Sequence, residues 1–188
     1  ANEVHKITII PRGMAGGYTM MLPKEEKIAI ATKNELLASI TGLLGGRVSE
    51  ELYFGEISTG ASDDFSKATK IARSMVTEYG MSDLGPVQLE HKEEGVFLGR
   101  DYNKTRNFSD AVALEIDEEV RKIVNECYKK ATKILKDNKD LVMLLSNTLI
   151  EKETITKEEI DELVKTGKLS SKEEKQTENK EETIKEEK

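Results

Sequence analysis

The stretch TKNELLASITGLLGGRVSEELYFG, residues 32–55, decides the fold class. Thr32 and Glu35 stand at capping-box spacing, a hydroxyl and a carboxylate that can each satisfy a backbone N–H left free by the first turn of a helix. Leu36, Leu37, Ile40, Leu43, Leu44, Val48 and Leu52 then recur at helical intervals, so one long helix is expected to run to about Gly55. Gly42, Gly45 and Gly46 lie inside it, each costing about 1 kcal/mol relative to alanine. Such a cost points to another backbone packed very close, with a kink as the rival explanation.

Working outward toward the C-terminus, Ser62-Asp63-Asp64 offers an N-cap and first-turn acids for a helix that carries Phe65, Ala68, Ile71, Ala72, Met75, Val76 and Tyr79 and stops at Gly80. Residues 81–108 place Gly85-Pro86, Gly95 and Gly99 around short apolar pieces such as Val96-Phe97-Leu98, which predicts a loop-rich section with room for a hairpin. Ser109 caps a third long helix whose apolar stripe runs from Val112 to Leu135, ending at Asp137-Asn138. A fourth helix follows through Leu141, Leu144, Leu145 and Leu149. Thr156 and Glu159 announce a short fifth that stops at Gly167.

Toward the N-terminus, His5 to Pro11 is β-branched and apolar, Arg12 to Gly17 supplies turn chemistry, and Tyr18 to Met21 reads as a second strand. The expected fold is therefore mainly α with a small β-sheet near the N-terminus, a strand pair over 5–21. A folded body spans 1–167, and the Lys- and Glu-rich remainder, 168–188, has too little apolar surface to offset its ordering entropy and is expected to be a disordered tail. The opening Ala1-Asn2-Glu3 lacks an initiator methionine and runs at once into strand-like sequence, as expected of a piece of a longer protein.

The composition narrows the function. A formal net charge of −7 disfavours a nucleic-acid partner, which needs a basic stripe to displace counterions. No stretch approaches the roughly 20 consecutive apolar residues that cross a bilayer, so any membrane attachment must come from outside these residues. The single cysteine, Cys127, lies on an apolar helical stripe and reads as a small buried side chain rather than a nucleophile.

Self-contained catalytic motifs are missing. His5 and His91 are the only histidines, neither belongs to an H-E-x-x-H pair, and both read as surface or packing residues. There is no G-x-x-x-x-G-K-[ST] loop for phosphates and no G-x-S-x-G elbow for a nucleophilic serine. The acids Glu50, Glu51, Asp63 and Asp64 lack the spacing of a calcium loop.

Several ordered segments carry a resemblance. The run from His5 through Pro11-Arg12-Gly13-Met14-Ala15-Gly16-Gly17-Tyr18-Thr19 is similar to the strand pair that follows the zinc helix in FtsH-type ATP-dependent zinc metalloproteases, peptidase family M41. Leu43-Leu44-Gly45-Gly46-Arg47 with Glu50-Glu51, Ser58 to Asp64, Met75 to Ser82, Leu84-Gly85-Pro86 and Leu149 to Thr154 fall in the same order as in that family. The resemblance covers nearly the whole chain except its tail, and it implies an FtsH-like helical peptidase architecture.

What the resemblance implies is a divided metal site. In the family an H-E-x-x-H helix supplies two histidine ligands and a glutamate general base, and the aspartate of a T-G-A-x-x-D motif completes the protein donors; here that aspartate matches Asp64, with Asp63 as its weaker neighbour. A carboxylate oxygen is an ordinary zinc donor and leaves a position for water. The H-E-x-x-H helix is expected before Ala1, so the chain alone is expected to be inactive and to hold no zinc tightly. Asp64 also suits the positive end of its helix, a role compatible with ligation.

Glu50 and Glu51 become candidates for orienting a zinc-bound histidine. Gly13, Met14, Ala15, Gly16, Gly17, Tyr18 and Thr19 become a candidate peptide-binding edge, with a tight turn that merely closes the sheet as the competing reading. The implied parent is a homo-hexamer at the cytoplasmic face of a bacterial-type inner membrane. It would take polypeptide substrates from an ATPase module of the same chain that uses ATP and Mg2+. The alternative from another class is a non-catalytic helical oligomerisation or scaffold module.

Overall fold

The computed structural model describes residues 3–13, 16–22, 30–90 and 108–169. They belong to two compact units, one built from Lys27–Asp137 and the other from Asn2–Glu26 with Asn138–Lys188. No helix among the described residues is long and apolar enough to cross a membrane.

The first unit is helical. Helix α1 (Lys33–Leu43) begins with the expected capping box: Thr32 N–H donates to the Glu35 carboxylate at 2.9 Å, and Glu35 N–H donates back to the Thr32 hydroxyl at 3.3 Å. The single long helix expected to follow is two. The first closes at Leu44, and α2 (Gly45–Tyr53) starts immediately after it. Leu44 keeps a helical backbone and is buried, so the two helices meet at a single residue rather than through a loop.

The close backbone contact inferred from the glycines is absent among the described residues. A methyl group added at Gly42, Gly45 or Gly46 would meet no atom within 4 Å. Among the described residues the helical run is instead interrupted at Leu44, and the low helix propensity of three glycines in five residues accounts for an interruption there.

Helix α3 (Ser62–Thr77) buries Ala68, Ala72, Met75 and Val76, and α4 (Asp110–Asp137) buries Ile116, Val120, Ile123 and Cys127. Together with Ile40 and Leu44 these side chains make one core, against which α1, α3 and α4 pack on one another. Cys127 is buried as expected; its thiol lies 3.6 Å from the Leu37 carbonyl, and burial pushes its pKa up, which leaves it a poor nucleophile. Gly80 follows α3 at φ 58°, where a Cβ would come within 2.9 Å of the Pro86 backbone, so glycine there is required twice over. Of the expected loop-rich section 81–108, residues 81–90 carry no helix or strand, while His91 and Val96-Phe97-Leu98 lie outside the described residues.

The second unit carries the sheet. Strands β1 (Glu3–Thr8) and β2 (Tyr18–Leu22) pair antiparallel as expected, with a register shift between Val4 and Lys6. After α5 (Lys139–Lys152) a third strand that the sequence reading did not anticipate, β3 (Thr154–Thr156), pairs with the other side of β1. The order is β2-β1-β3. Thr8 joins the distant segments: its hydroxyl donates to the Glu153 carbonyl at 3.2 Å and lies 2.8 Å from the Thr154 hydroxyl. The unit closes with α6 (Lys157–Thr166), which starts in the expected Thr156 and Glu159 capping box and ends at Gly167. Beyond Leu169 the expected tail lies outside the described residues.

Two glycine substitutions separate these accounts. A Cβ at Gly17 would lie 2.5 Å from the Thr8 carbonyl oxygen, so Gly17→Ala is expected to destabilise the sheet unit by about 1 to 3 kcal/mol. Gly42→Ala is expected to stabilise the helical unit by about 0.5 to 1 kcal/mol. Urea unfolding followed by circular dichroism measures both, and a marked loss of stability in Gly42→Ala would restore the close-packing explanation.

Candidate functional site

Ser58 opens the segment that delivers the candidate metal donor, and α2 holds all of its polar groups. Its N–H donates to Glu50 Oε2 at 3.2 Å, its hydroxyl donates to Glu50 Oε1, and its carbonyl accepts from Arg47 Nη2 at 2.7 Å. The Ser58 hydroxyl also accepts from Gly60 N–H at 3.1 Å and so caps the single 3-10 turn Thr59–Ala61. That turn runs straight into α3 with Ala61 buried at the junction. Ser62 was expected to cap α3 but is its first residue; the capping hydroxyl lies four residues earlier, at Ser58.

Glu50 and Arg47 also face each other. Arg47 Nε lies 3.5 Å from Glu50 Oε2, close enough for charge attraction but too far for a hydrogen bond, and this buried N–H has no other partner among the described residues. The guanidinium carbon sits 4.9 Å from the centroid of the Phe65 ring, within cation–π range. Hydrogen bonds from the Ser58 hydroxyl and backbone, helped by the Arg47 charge, hold the Glu50 carboxyl below its ordinary value of 4.5 against the opposing effect of burial.

The two adjacent aspartates differ. Asp63 is exposed and forms an ion pair with Lys67 at 2.7 Å, one turn along α3, which raises the lysine pKa. Asp64 is half-buried and makes no hydrogen bond or ion pair with any described residue. Lys67 also feels the Asp64 charge but is bonded to Asp63, so the Asp64 oxygens stay open to a cation. The residues therefore fit a metal to this extent: one oxygen donor is available and uncommitted. Among the described residues no three His, Cys, Asp or Glu side chains come together as a metal cluster, so further donors would have to come from elsewhere.

The remaining candidates are separate from this segment. Glu51 is exposed and accepts a hydrogen bond from the Tyr128 hydroxyl of α4, whose pKa is raised first by burial and then by that carboxylate. His5 lies in β1, at the register shift. Of the expected peptide-binding edge, Gly13, Gly16, Gly17, Tyr18 and Thr19 are described and Met14 and Ala15 are not. Gly17 presses on Thr8, as the turn reading requires, while β2 is an edge strand with its outer side unpaired among the described residues.

Sequence reasoning missed Arg47 and Ser58. The signal available was the i, i+3 spacing of Arg47 and Glu50, which is too common in helices to stand out.

Comparison with known proteins bears on the whole arrangement. The model of peptidase family M41 matches residues 1–163. The chain is 60% identical over 169 residues to the ATP-dependent zinc metalloprotease FtsH of Acholeplasma laidlawii, covering 90% of this chain and 26% of that protein. The FtsH of Bacillus subtilis is 54% identical over 171 residues, covering 90% and 27%. That of Alkalihalophilus pseudofirmus is 57% identical over 171 residues, covering 90% and 25%. The chain thus spans about a quarter of the length of these relatives.

The pH behaviour of the Ser58 anchor follows from the sign of the Glu50 shift. A carboxyl whose folded pKa is depressed contributes stability that is present above its unfolded value, near 4.5, and is lost as pH falls through the lower folded value. A carbon-detected NMR titration is expected to place the Glu50 midpoint below 4.5 and to move it upward in Ser58→Ala. An unchanged midpoint in that variant would contradict the assigned cause.

Proposed function

Since the chain belongs to peptidase family M41, we propose that it is the part of an ATP-dependent zinc endopeptidase that contributes Asp64 as the third protein ligand of the metal. The observation that carries this reading is the state of Asp64, half-buried and uncommitted, beside an Asp63 already paired with Lys67. Two histidines and a glutamate base on an H-E-x-x-H helix preceding these residues would complete the centre. When bound, the zinc would polarise the scissile carbonyl and acidify the attacking water.

The rest of the contribution belongs to this chain's own residues. In hydrolysis the water oxygen bonds to the carbonyl carbon, the C–N bond breaks and the amine leaves with a proton. The carboxylate of Asp64 would hold its share of the metal charge throughout. Its half-burial strengthens that interaction relative to open water.

In the other unit, β2 offers the outer edge of a three-stranded sheet, and an extended polypeptide could add to it through backbone hydrogen bonds that are largely blind to sequence. The exposed side chains of Met20, Met21 and Leu22 suit apolar segments of unfolded or membrane proteins. An ATPase module in the rest of the parent chain would deliver those segments, and the parent would act as a homo-hexamer at the cytoplasmic face of the inner membrane.

In the complete protein, Asp64→Ala is expected to weaken zinc binding by more than about 100-fold, since losing even an outer partner of a ligand costs about 10- to 100-fold, and to abolish cleavage of an unfolded substrate. Asp63→Ala is expected to leave both within about twofold, as removal of an exposed ion pair should. Competition against a chelating dye reads the affinities, and loss of zinc in Asp63→Ala rather than Asp64→Ala would reverse the assignment. The 188-residue chain alone is expected to retain far less than one zinc per molecule after dialysis. Stoichiometric zinc removable by chelator would contradict the divided centre.

A further inference from the structure

We infer that Arg47 and Glu50 of α2 are positioning residues for the Asp64 carboxylate, acting through a bracket that grips the chain on both sides of it. The inference rests on the assignment of Asp64 as a metal donor and extends it to two residues of the neighbouring helix α2.

The grip before Asp64 is at Ser58, whose N–H and hydroxyl donate to Glu50 and whose carbonyl accepts from Arg47 at 2.7 Å. From there a 3-10 turn passes into α3 without an intervening loop, so there is no slack between the gripped residue and the first turn that holds Asp64. The grip after Asp64 is at Phe65, the next residue, whose ring lies under the same guanidinium. One arginine therefore binds the backbone six residues before the carboxylate and the side chain one residue after it. Glu50 fixes that arginine from a third direction at 3.5 Å.

A free carboxylate at the end of a helix can turn among rotamers, and its reach is set by where the first turn lies. With no hydrogen bond of its own among the described residues, Asp64 takes its position mainly from the backbone, and the bracket holds that backbone. A planar, delocalised cation can meet a carbonyl oxygen, a carboxylate and an aromatic ring at once, which suits arginine better than lysine to this place. Arg47 Nε is buried and, with no hydrogen bond among the described residues, faces only the Glu50 carboxylate at 3.5 Å.

The test is a double-mutant cycle in the complete protein, read as zinc affinity by competition with a chelating dye, with circular dichroism recording that each variant is folded at the assay temperature. Arg47→Ala and the milder Glu50→Gln are each made with and without Asp64→Ala. With Asp64 present, Arg47→Ala is expected to weaken zinc binding about tenfold, within the range for partners behind a metal ligand, and Glu50→Gln by a smaller factor above about twofold. In the Asp64→Ala background both are expected to change affinity by less than about twofold, because the interaction they support is already gone.

Equal effects in the two backgrounds would mean a general loosening of the fold and would overturn the positioning role, as would no effect with Asp64 present. If Asp64→Ala itself left affinity unchanged, the donor assignment would fall and the bracket's role with it. If Arg47→Ala did not fold, Glu50→Gln, which keeps the side-chain volume, would decide the matter alone.

Discussion

The packing of α3 through Ala68 and Ala72 is the constraint on which the helical unit depends. Both are fully buried one turn apart, and α1 and α4 lie against that helix with Met75 and Val76 continuing the contact. Small side chains let helix axes approach, and a close-packed interior resists adjustment, so the height and rotation of α3 are set by its middle. Asp64 stands on the first turn of the same helix, one turn before Ala68. The core therefore positions the far end of the helix, and the Arg47 and Glu50 bracket positions the near end.

Electrostatics then distinguishes carboxylates that composition treats alike. Glu50 is committed to Ser58 and Arg47, Glu51 to Tyr128, and Asp63 to Lys67. Asp64 is more shielded than Asp63 yet has no partner among the described residues. Each committed carboxylate gains a local contact that a metal would have to displace, whereas Asp64 has none to lose. Its place on the first turn, near the positive end of α3, suits a negative charge without occupying its oxygens.

Much of this was legible in the sequence, and the remainder was hidden for identifiable reasons. The capping boxes at Thr32 and Thr156, the strand pair, the apolar stripe of α4 and the burial of Cys127 follow from local spacing, and the structure bears them out. The T-G-A-x-x-D resemblance directed attention to Asp64, but no periodicity in the chain distinguishes it from Asp63. The break at Leu44 was hidden because apolar spacing continues across it while the glycines on either side admit two explanations. Strand β3 was hidden because three residues give no alternation to read, and its partner β1 lies about 150 residues away. The bracket joins residues eight and eleven positions apart on different elements, a relation that only folding creates.

The claim at the centre of this account is that an oxygen of Asp64, fixed by α2 and by the buried face of α3, is bound to zinc in the complete protein. A crystal structure of that protein with anomalous diffraction at the zinc edge tests it most directly. The account predicts an anomalous peak about 2.0 to 2.2 Å from an Asp64 carboxylate oxygen, with Ser58 still held between Arg47 and Glu50. A peak ligated without Asp64, or by Asp63 in its place, would contradict it.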